Sequence, residues 1–329
     1  MYFNRAHLKL RALSERAHDL TTDVIVPLSS GGDSPPHPTM AEVARHIISA
    51  KERGAAVILM MGGHVIRSGV QRFIIDLMEQ GYITCISGNG ACVIHDYEFA
   101  LIGATTESVA KYIKCGEFGL WKETGYINDI VNAAYKEGLA TPGGYGGSAT
   151  PGGYGFAIGK AIYEGNFPHK DISLYAAAYR LNIPATVHVG IGYDIINEFP
   201  NYDGAAAGAL SYMDFLRFTQ VVSSLSGGVV MNFGSAVMAP EVFLKALSMA
   251  RNRGIQSGEK ISDFTTLVCD LHELPADFTK EAPKDSPAYY FRPWKTMLVR
   301  TVSEGGRSFY VRGKHADTVS ALWRAVTQI

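Results

Sequence analysis

An excess of charge of either sign is missing from this sequence: 30 Lys and Arg face 31 Asp and Glu, for a formal net charge of −1. A near-neutral chain offers no basic field for nucleic acid and no acidic field for a basic partner, which leaves small molecules as the default ligands. Cysteine is scarce. Cys85, Cys92, Cys115 and Cys269 show no CxxC spacing and fall in apolar segments, so buried reduced thiols in a cytoplasmic protein are expected rather than disulfides or zinc. No apolar run reaches the ~18 residues a membrane span needs, and the polar first residues lack a signal-peptide core. HExxH, GxSxG, GxxxxGK[ST] and GxGxxG are absent, so no metal site, serine elbow or standard nucleotide fingerprint is expected.

What is present is apolar substance and glycine. With 47% hydrophobic residues in 329, the chain can bury a large core. The pattern predicts an α/β protein: a Rossmann-like, mostly parallel sheet with helices on both faces, forming one domain over residues 39–329 behind an N-terminal helix (residues 1–20) and a mobile linker ending at residue 38. The organising stretch is residues 55–98. Residues 55–61 are an unbroken apolar run that ends at Gly62-Gly63 and turns at once into a helix with apolar residues three and four apart. Residues 82–86 form a second strand, which ends in the tight loop Ser87-Gly88-Asn89-Gly90 before another helix at Ala91. Ligands of parallel sheets lie beyond the carboxyl ends of the strands, where free N–H groups at helix starts suit phosphate.

Further along, residues 110–112, 118–121 and 126–135 carry helical spacing, and the tandem repeat TPGGYGGSATPGGYG (residues 141–155) predicts a loop. That loop is either a duplicated insertion or a lid carrying Tyr145 or Tyr154. Strands at 183–190, 228–233 and 265–271 alternate with helices at 173–181, 211–225 and 240–253. Residues 295–302 and 308–312, separated by Glu304-Gly305-Gly306, predict a hairpin.

Several groups could carry chemistry, and each has a plainer reading. Asp194, Glu198 and Asp203 follow a strand end and could grip an amine, or they are solvated loop acids. His188 is a base or a satisfied core histidine. His95, one turn into its helix, faces a ligand or belongs to a polar helix surface, and His64 contacts a cofactor or caps a helix. Lys295 among aromatics could be a desolvated nucleophile, or a strand lysine whose ammonium reaches for water.

The segments GGHVIRSGVQRFIIDLM, ISGNGA, GEFGLWKETGYIND, IPATVHVGIGYDII, GGVVMNFGSAVMAPEVFLKAL and YYFRPWKTMLV together resemble the deoxyhypusine synthase family, in the same order. The GNGA turn followed by His95-Asp96 and Glu98 is also similar to the archaeal-type ornithine cyclodeaminase domain. The first resemblance implies NAD as cofactor, a homotetramer, oxidation of an amine or polyamine, and transfer of an aminoalkyl group through an enzyme lysine to a protein lysine acceptor. It places NAD at Gly63, His64 and Ser68, at Ser87, Gly88, Asn89, Gly90 and Ala91, and at Gly234 and Ser235. It gives Asp194 the substrate amine; on that reading His188 or His95 is the catalytic group that takes the proton leaving nitrogen, and Lys295 is the candidate covalent carrier. The sequence diverges from the family at two catalytic positions: Ala239 stands where the family has its histidine, and Lys295 falls one residue early. Alternative readings are an NAD-dependent ornithine cyclodeaminase-like lyase, without carrier lysine or protein acceptor, and a catalytically degenerate nucleotide-binding protein.

Overall fold

The computed structural model describes residues 2–32, 37–140 and 152–328. Its centre is a six-stranded sheet of β1 (Val57–Met61), β2 (Cys85–Asn89), β3 (Ala185–His188), β4 (Val229–Phe233), β5 (Thr265–Asp270) and β6 (Arg307–Arg312). Every pairing is parallel and the spatial order is β3-β2-β1-β4-β5-β6, the doubly wound Rossmann order. The chain builds outward from β1 to β3, then returns to the middle and builds the other way from β4. The switch point therefore lies between β1 and β4.

Side chains of a strand alternate between faces, so β1 feeds two separate cores. Val57, Leu59 and Met61 join one apolar cluster while Ile58 and Met60 join the other, and all five are buried. The first cluster includes α1 (Pro38–Glu52), α3 (Gln71–Glu79), α4 (Gly90–Ile102) and the terminal helix His315–Thr327. The second includes helices Gly204–Val222, Met238–Ser257 and Pro293–Arg300. This two-layered cover explains why β1 reads as continuous apolar sequence rather than as alternation.

Four expectations are corrected. The N-terminal helix is instead a string of 3-10 turns, Arg5–His7 and Leu13–Glu15, followed by Leu20–Thr21 pairing antiparallel with Ala104–Thr105. Its apolar residues serve tertiary contacts, Leu13 sharing a small core with Tyr112 and Trp121. The single helix after β1 is two, α2 (Gly63–Arg67) and α3, because Gly69 turns left-handed at φ 74° and the N-terminal segment packs on it. A Cβ there would sit 1.8 Å from the Val24 carbonyl. The predicted hairpin is absent: Pro293–Arg300 is a π-type helix that buries Trp294, Met297 and Leu298, and β6 pairs parallel with β5. Proline suits the first turn of a helix, and the three-and-four spacing after it outweighs the strand-like composition. Finally, Tyr154 and Gly155 start helix Tyr154–Glu164 and Tyr154 is fully buried, which removes it as a lid residue. Tyr145 lies outside the described residues.

Of the cysteines, Cys85, Cys92 and Cys269 are buried and Cys115 is exposed, contrary to the expectation for Cys115. No helix among the described residues is long and apolar enough to cross a membrane.

Candidate functional site

The carboxyl ends of β1, β2 and β4 open into a cavity of about 700 Å³, within the range of cofactor sites. Gly62, Gly63 and His64 line it from the first turn, Asn89 and Ala91 from the second, and Gly234 and Ser235 from the third. The turns after β1 and β2, separate in sequence, thus face one space.

Glycine is required here by close approach. The Gly62 N–H donates to the Phe233 carbonyl at 3.0 Å, and a Cβ on Gly62 would lie 2.4 Å from the Gly234 carbonyl oxygen. A Cβ on Gly63 would press on Ala91 and His95 at 3.1 Å. The starts of α4 and of Met238–Ser257, where backbone N–H groups lack intrahelical partners, lie in the same wall.

Residues of the second turn divide. Asn89 caps α4, its Oδ1 accepting from Cys92 N at 3.2 Å, and lines the cavity. Ser87 and Gly88 belong to β2 itself rather than to a loop and are buried, Gly88 beneath the Tyr175 hydroxyl and Cys92. Gly90 is covered by Asp194, whose Oδ2 would lie 2.3 Å from a Cβ on residue 90. Ser68 does not line the cavity; its hydroxyl donates to the His64 carbonyl at 2.7 Å. Ser235 lines it while its Oγ accepts from Ala239 N at 3.0 Å.

A second chamber of about 250 Å³ adjoins the first, and Arg67, Ala91, His95 and Tyr193 line both. Asp194, Glu98, Glu107, Arg16 and Phe118 complete it. Burial pushes the Asp194 carboxyl up to about 6, opposed by a 3.2 Å hydrogen bond from Gly190 N. No cationic side chain among the described residues is within ion-pair distance of Asp194. Arg67 bonds His64 across 3.2 Å, while its buried Nε has no hydrogen-bond partner among the described residues.

Both candidate bases are held neutral by burial, which pushes each down to about 4. His188 borders the cavity, its Nε2 3.1 Å from Ser87 Oγ and its ring edge-on to Phe218. His95 lines both chambers and bonds Thr105 Oγ1 through Nδ1 at 2.9 Å. Its neighbour Asp96 is structural: it accepts from Ser173 Oγ and Leu174 N at the start of helix Leu174–Arg180. Asp203 likewise caps helix Gly204–Val222. Lys295 sits on a helix rather than a strand and lines neither chamber; its ammonium lies 3.6 Å from the centroid of the Tyr289 ring. Arg16, Arg67, Thr105 and Glu107 escaped the sequence reading, and only Arg67, four residues past Gly63, lay in a stretch already marked. No cluster of three His, Cys, Asp or Glu able to hold a metal occurs among the described residues.

Sheet order, switch-point cavity and glycine turns define a Rossmann-fold α/β protein. Residues 41–136 match the family described as arginine dihydrolase ArgZ-like, C-terminal, Rossmann fold. A conserved LOR/SDH protein of Methanococcus maripaludis S2 shares the fold at TM-score 0.51 and 16% identity, over 90% of this chain and 71% of that one. AgrE, solved with ornithine and NAD+, is similar at TM-score 0.47 and 16% identity, over 88% of this chain but only 32% of AgrE. A protein from Entamoeba histolytica described as a deoxyhypusine synthase gives TM-score 0.44 at 9% identity, over 88% and 87% of the two chains. No curated protein sequence matches.

Proposed function

We propose that this protein is an NAD-dependent enzyme that oxidises a small substrate at a carbon bearing an amine. The observation that carries the reading is Asp194, a buried carboxylate without a cationic partner among the described residues, in the chamber adjoining the switch-point cavity. A buried unpaired charge is costly, and an ammonium group entering that chamber would offset the cost with charge-assisted hydrogen bonds.

The larger cavity suits a dinucleotide on three grounds. It lies at the switch point, where such folds take their ligand, its first and third turns present bare glycine backbone at Gly62, Gly63 and Gly234, and two helices begin in its wall. One feature departs from the standard dinucleotide site: β2 ends in Asn89 rather than the acid that usually holds the ribose. Gly63, His64, Asn89, Ala91, Gly234 and Ser235 would hold the cofactor; Ser68, Ser87, Gly88 and Gly90 would support the turns from behind.

When bound, NAD supplies a hydride acceptor. Asp194 would hold the substrate ammonium, and the neutral His95 would take at Nε2 the proton that leaves the substrate nitrogen. His188, already engaged by Ser87, fits a wall role better. With Lys295 outside both chambers, a reaction without a covalent carrier is favoured: a lyase or cyclodeaminase type acting on an amino acid such as ornithine, rather than aminoalkyl transfer to a protein lysine. The match of residues 41–136 to the ArgZ-like Rossmann family supports the same choice.

The test is calorimetric titration of the purified full chain with NAD+, followed by absorbance of reduced nicotinamide with ornithine, arginine, lysine and spermidine in turn. Binding of NAD+ and reduction by an amino acid are expected. Absence of NAD+ binding at millimolar concentration would overturn the reading, and reduction by spermidine alone would restore the polyamine alternative.

A further inference from the structure

Glu98 is a fully buried carboxylate that receives four hydrogen bonds. Arg16 donates from Nη1 to Oε1 at 2.9 Å and from Nη2 to Oε2 at 2.7 Å. Thr124 Oγ1 donates to Oε1 at 2.6 Å and Thr105 Oγ1 to Oε2 at 2.7 Å. Beyond Thr105 stands His95, with Nδ1 2.9 Å from the same hydroxyl oxygen.

We infer that Arg16, Glu98 and Thr105 are positioning residues that fix His95 in the Nδ1-protonated tautomer and leave Nε2 as a proton acceptor on the wall shared by the two chambers. The inference follows from counting protons. An ionised carboxylate accepts only, so the one hydroxyl proton of Thr105 is committed to Glu98. The Thr105 oxygen then has only lone pairs to offer His95, and Nδ1 must carry the hydrogen. In a neutral imidazole the other nitrogen is bare. Among the described residues no protein group bonds Nε2, and the ring faces both chambers.

Arg16 sets the direction of this relay. Its bidentate contact keeps Glu98 ionised against the desolvation that favours the protonated acid. Without it, Glu98 would bind a proton and donate to Thr105, and the hydroxyl would turn to donate to Nδ1. The hydrogen on the ring would move to Nε2, and the acceptor would become a donor. Arg16 comes from the N-terminal segment, outside both the sheet and the residues that match the ArgZ-like family. That segment is anchored by the Arg11 bridge to Trp121 and by Ala17 N donating to the Tyr112 hydroxyl. It therefore completes the site from outside the nucleotide fold. The task given to Nε2 rests on the proposed function; the tautomer does not.

Long-range 1H–15N spectra of histidine-labelled full chain at neutral pH test the tautomer directly, with His95 assigned by comparison with His95→Gln. The expected wild-type spectrum shows hydrogen on Nδ1 and a bare Nε2. Thr105→Ser should preserve it, Thr105→Val should lose it, and Arg16→Met should reverse it. A wild-type hydrogen on Nε2, or a Thr105→Val spectrum identical to wild type, would overturn the relay. Should Arg16→Met not fold, the near-isosteric Thr105→Val decides alone. Because no cofactor enters this measurement, failure to bind NAD+ would sink the enzymatic reading without touching the relay, and a wrong tautomer would do the reverse.

Discussion

The carboxylate of Asp194 lies directly on the Cα of Gly90, so close that a Cβ on residue 90 would stand 2.3 Å from Oδ2. This contact ties the loop after β3 to the start of α4 and holds an acid in the wall of the smaller chamber. Asp194→Asn keeps the shape and removes the charge. Unchanged NAD+ affinity is expected, with KM for an amine substrate raised by about 10-fold or more, the scale of a charge-assisted hydrogen bond. Equal KM values for variant and wild type would detach Asp194 from the substrate.

Gly62→Val tests whether the switch point must be bare. Its Cβ would lie 2.4 Å from the Gly234 carbonyl, and backbone on both sides leaves no flexible neighbour to yield. Overpacking of this kind costs about 1–3 kcal/mol. A lowered melting temperature and lost NAD+ binding by calorimetry are expected. Binding that survives would move the cofactor elsewhere.

Lys295→Met separates the two enzymatic alternatives. With the ammonium over Tyr289 and no place in either chamber, the lysine's measurable loss should be the cation–π contact, on the order of 1–2 kcal/mol of stability by thermal melt. Turnover of an amino acid should persist. Its collapse would return the covalent-carrier reading.

Asp214 gives a pH signature independent of function. It is completely buried, accepts from Gly155 N and Val187 N at 2.8 Å each, and burial pushes its carboxyl up to about 8. The folded chain therefore holds a proton that the unfolded chain releases near the ordinary aspartate value of 3.8, so this group costs stability as pH rises from about 4 to about 8. Asp214→Asn cannot ionise. Its melting temperature relative to wild type should climb across that window, on the order of a few kcal/mol in total. A constant difference across the window would contradict a protonated native Asp214. The lowered His95 and His188 act oppositely, their penalty lying below the histidine range and vanishing as pH rises, and they are common to both proteins.

Gly69→Ala probes the N-terminal segment. With φ at 74° and the Val24 carbonyl 1.8 Å from the added Cβ, that segment should loosen. Faster proteolysis near residues 20–27, at rates several-fold above wild type, is the expected readout.

Most of the sheet was legible in the amino-acid pattern. Residues 57–61 and 229–233 are largely apolar runs of strand length that end at glycine, as strands covered on both faces do, whereas the second strand reads as 82–86 and runs instead over 85–89, because Ser87 and Gly88 have turn-like composition. Periodicity also predicts the helix over 126–135, which the structure shows as Tyr126–Lys136. It failed where local spacing admits two answers. Residues 293–300 carry strand-like composition but sit behind a proline that favours a first helical turn, and the N-terminal apolar residues serve tertiary contacts rather than one helical face.

The site was not legible in this way. Glycine turns after three strands are visible in sequence, but their meeting over one cavity depends on the order β3-β2-β1-β4-β5-β6, which no single strand records. Nor could spacing show that Arg16, 82 positions before Glu98, supplies its counter-charge, or that Thr105 links that pair to His95. Such contacts are made between segments that the fold alone brings side by side, and the protonation of a buried group follows from what surrounds it in space.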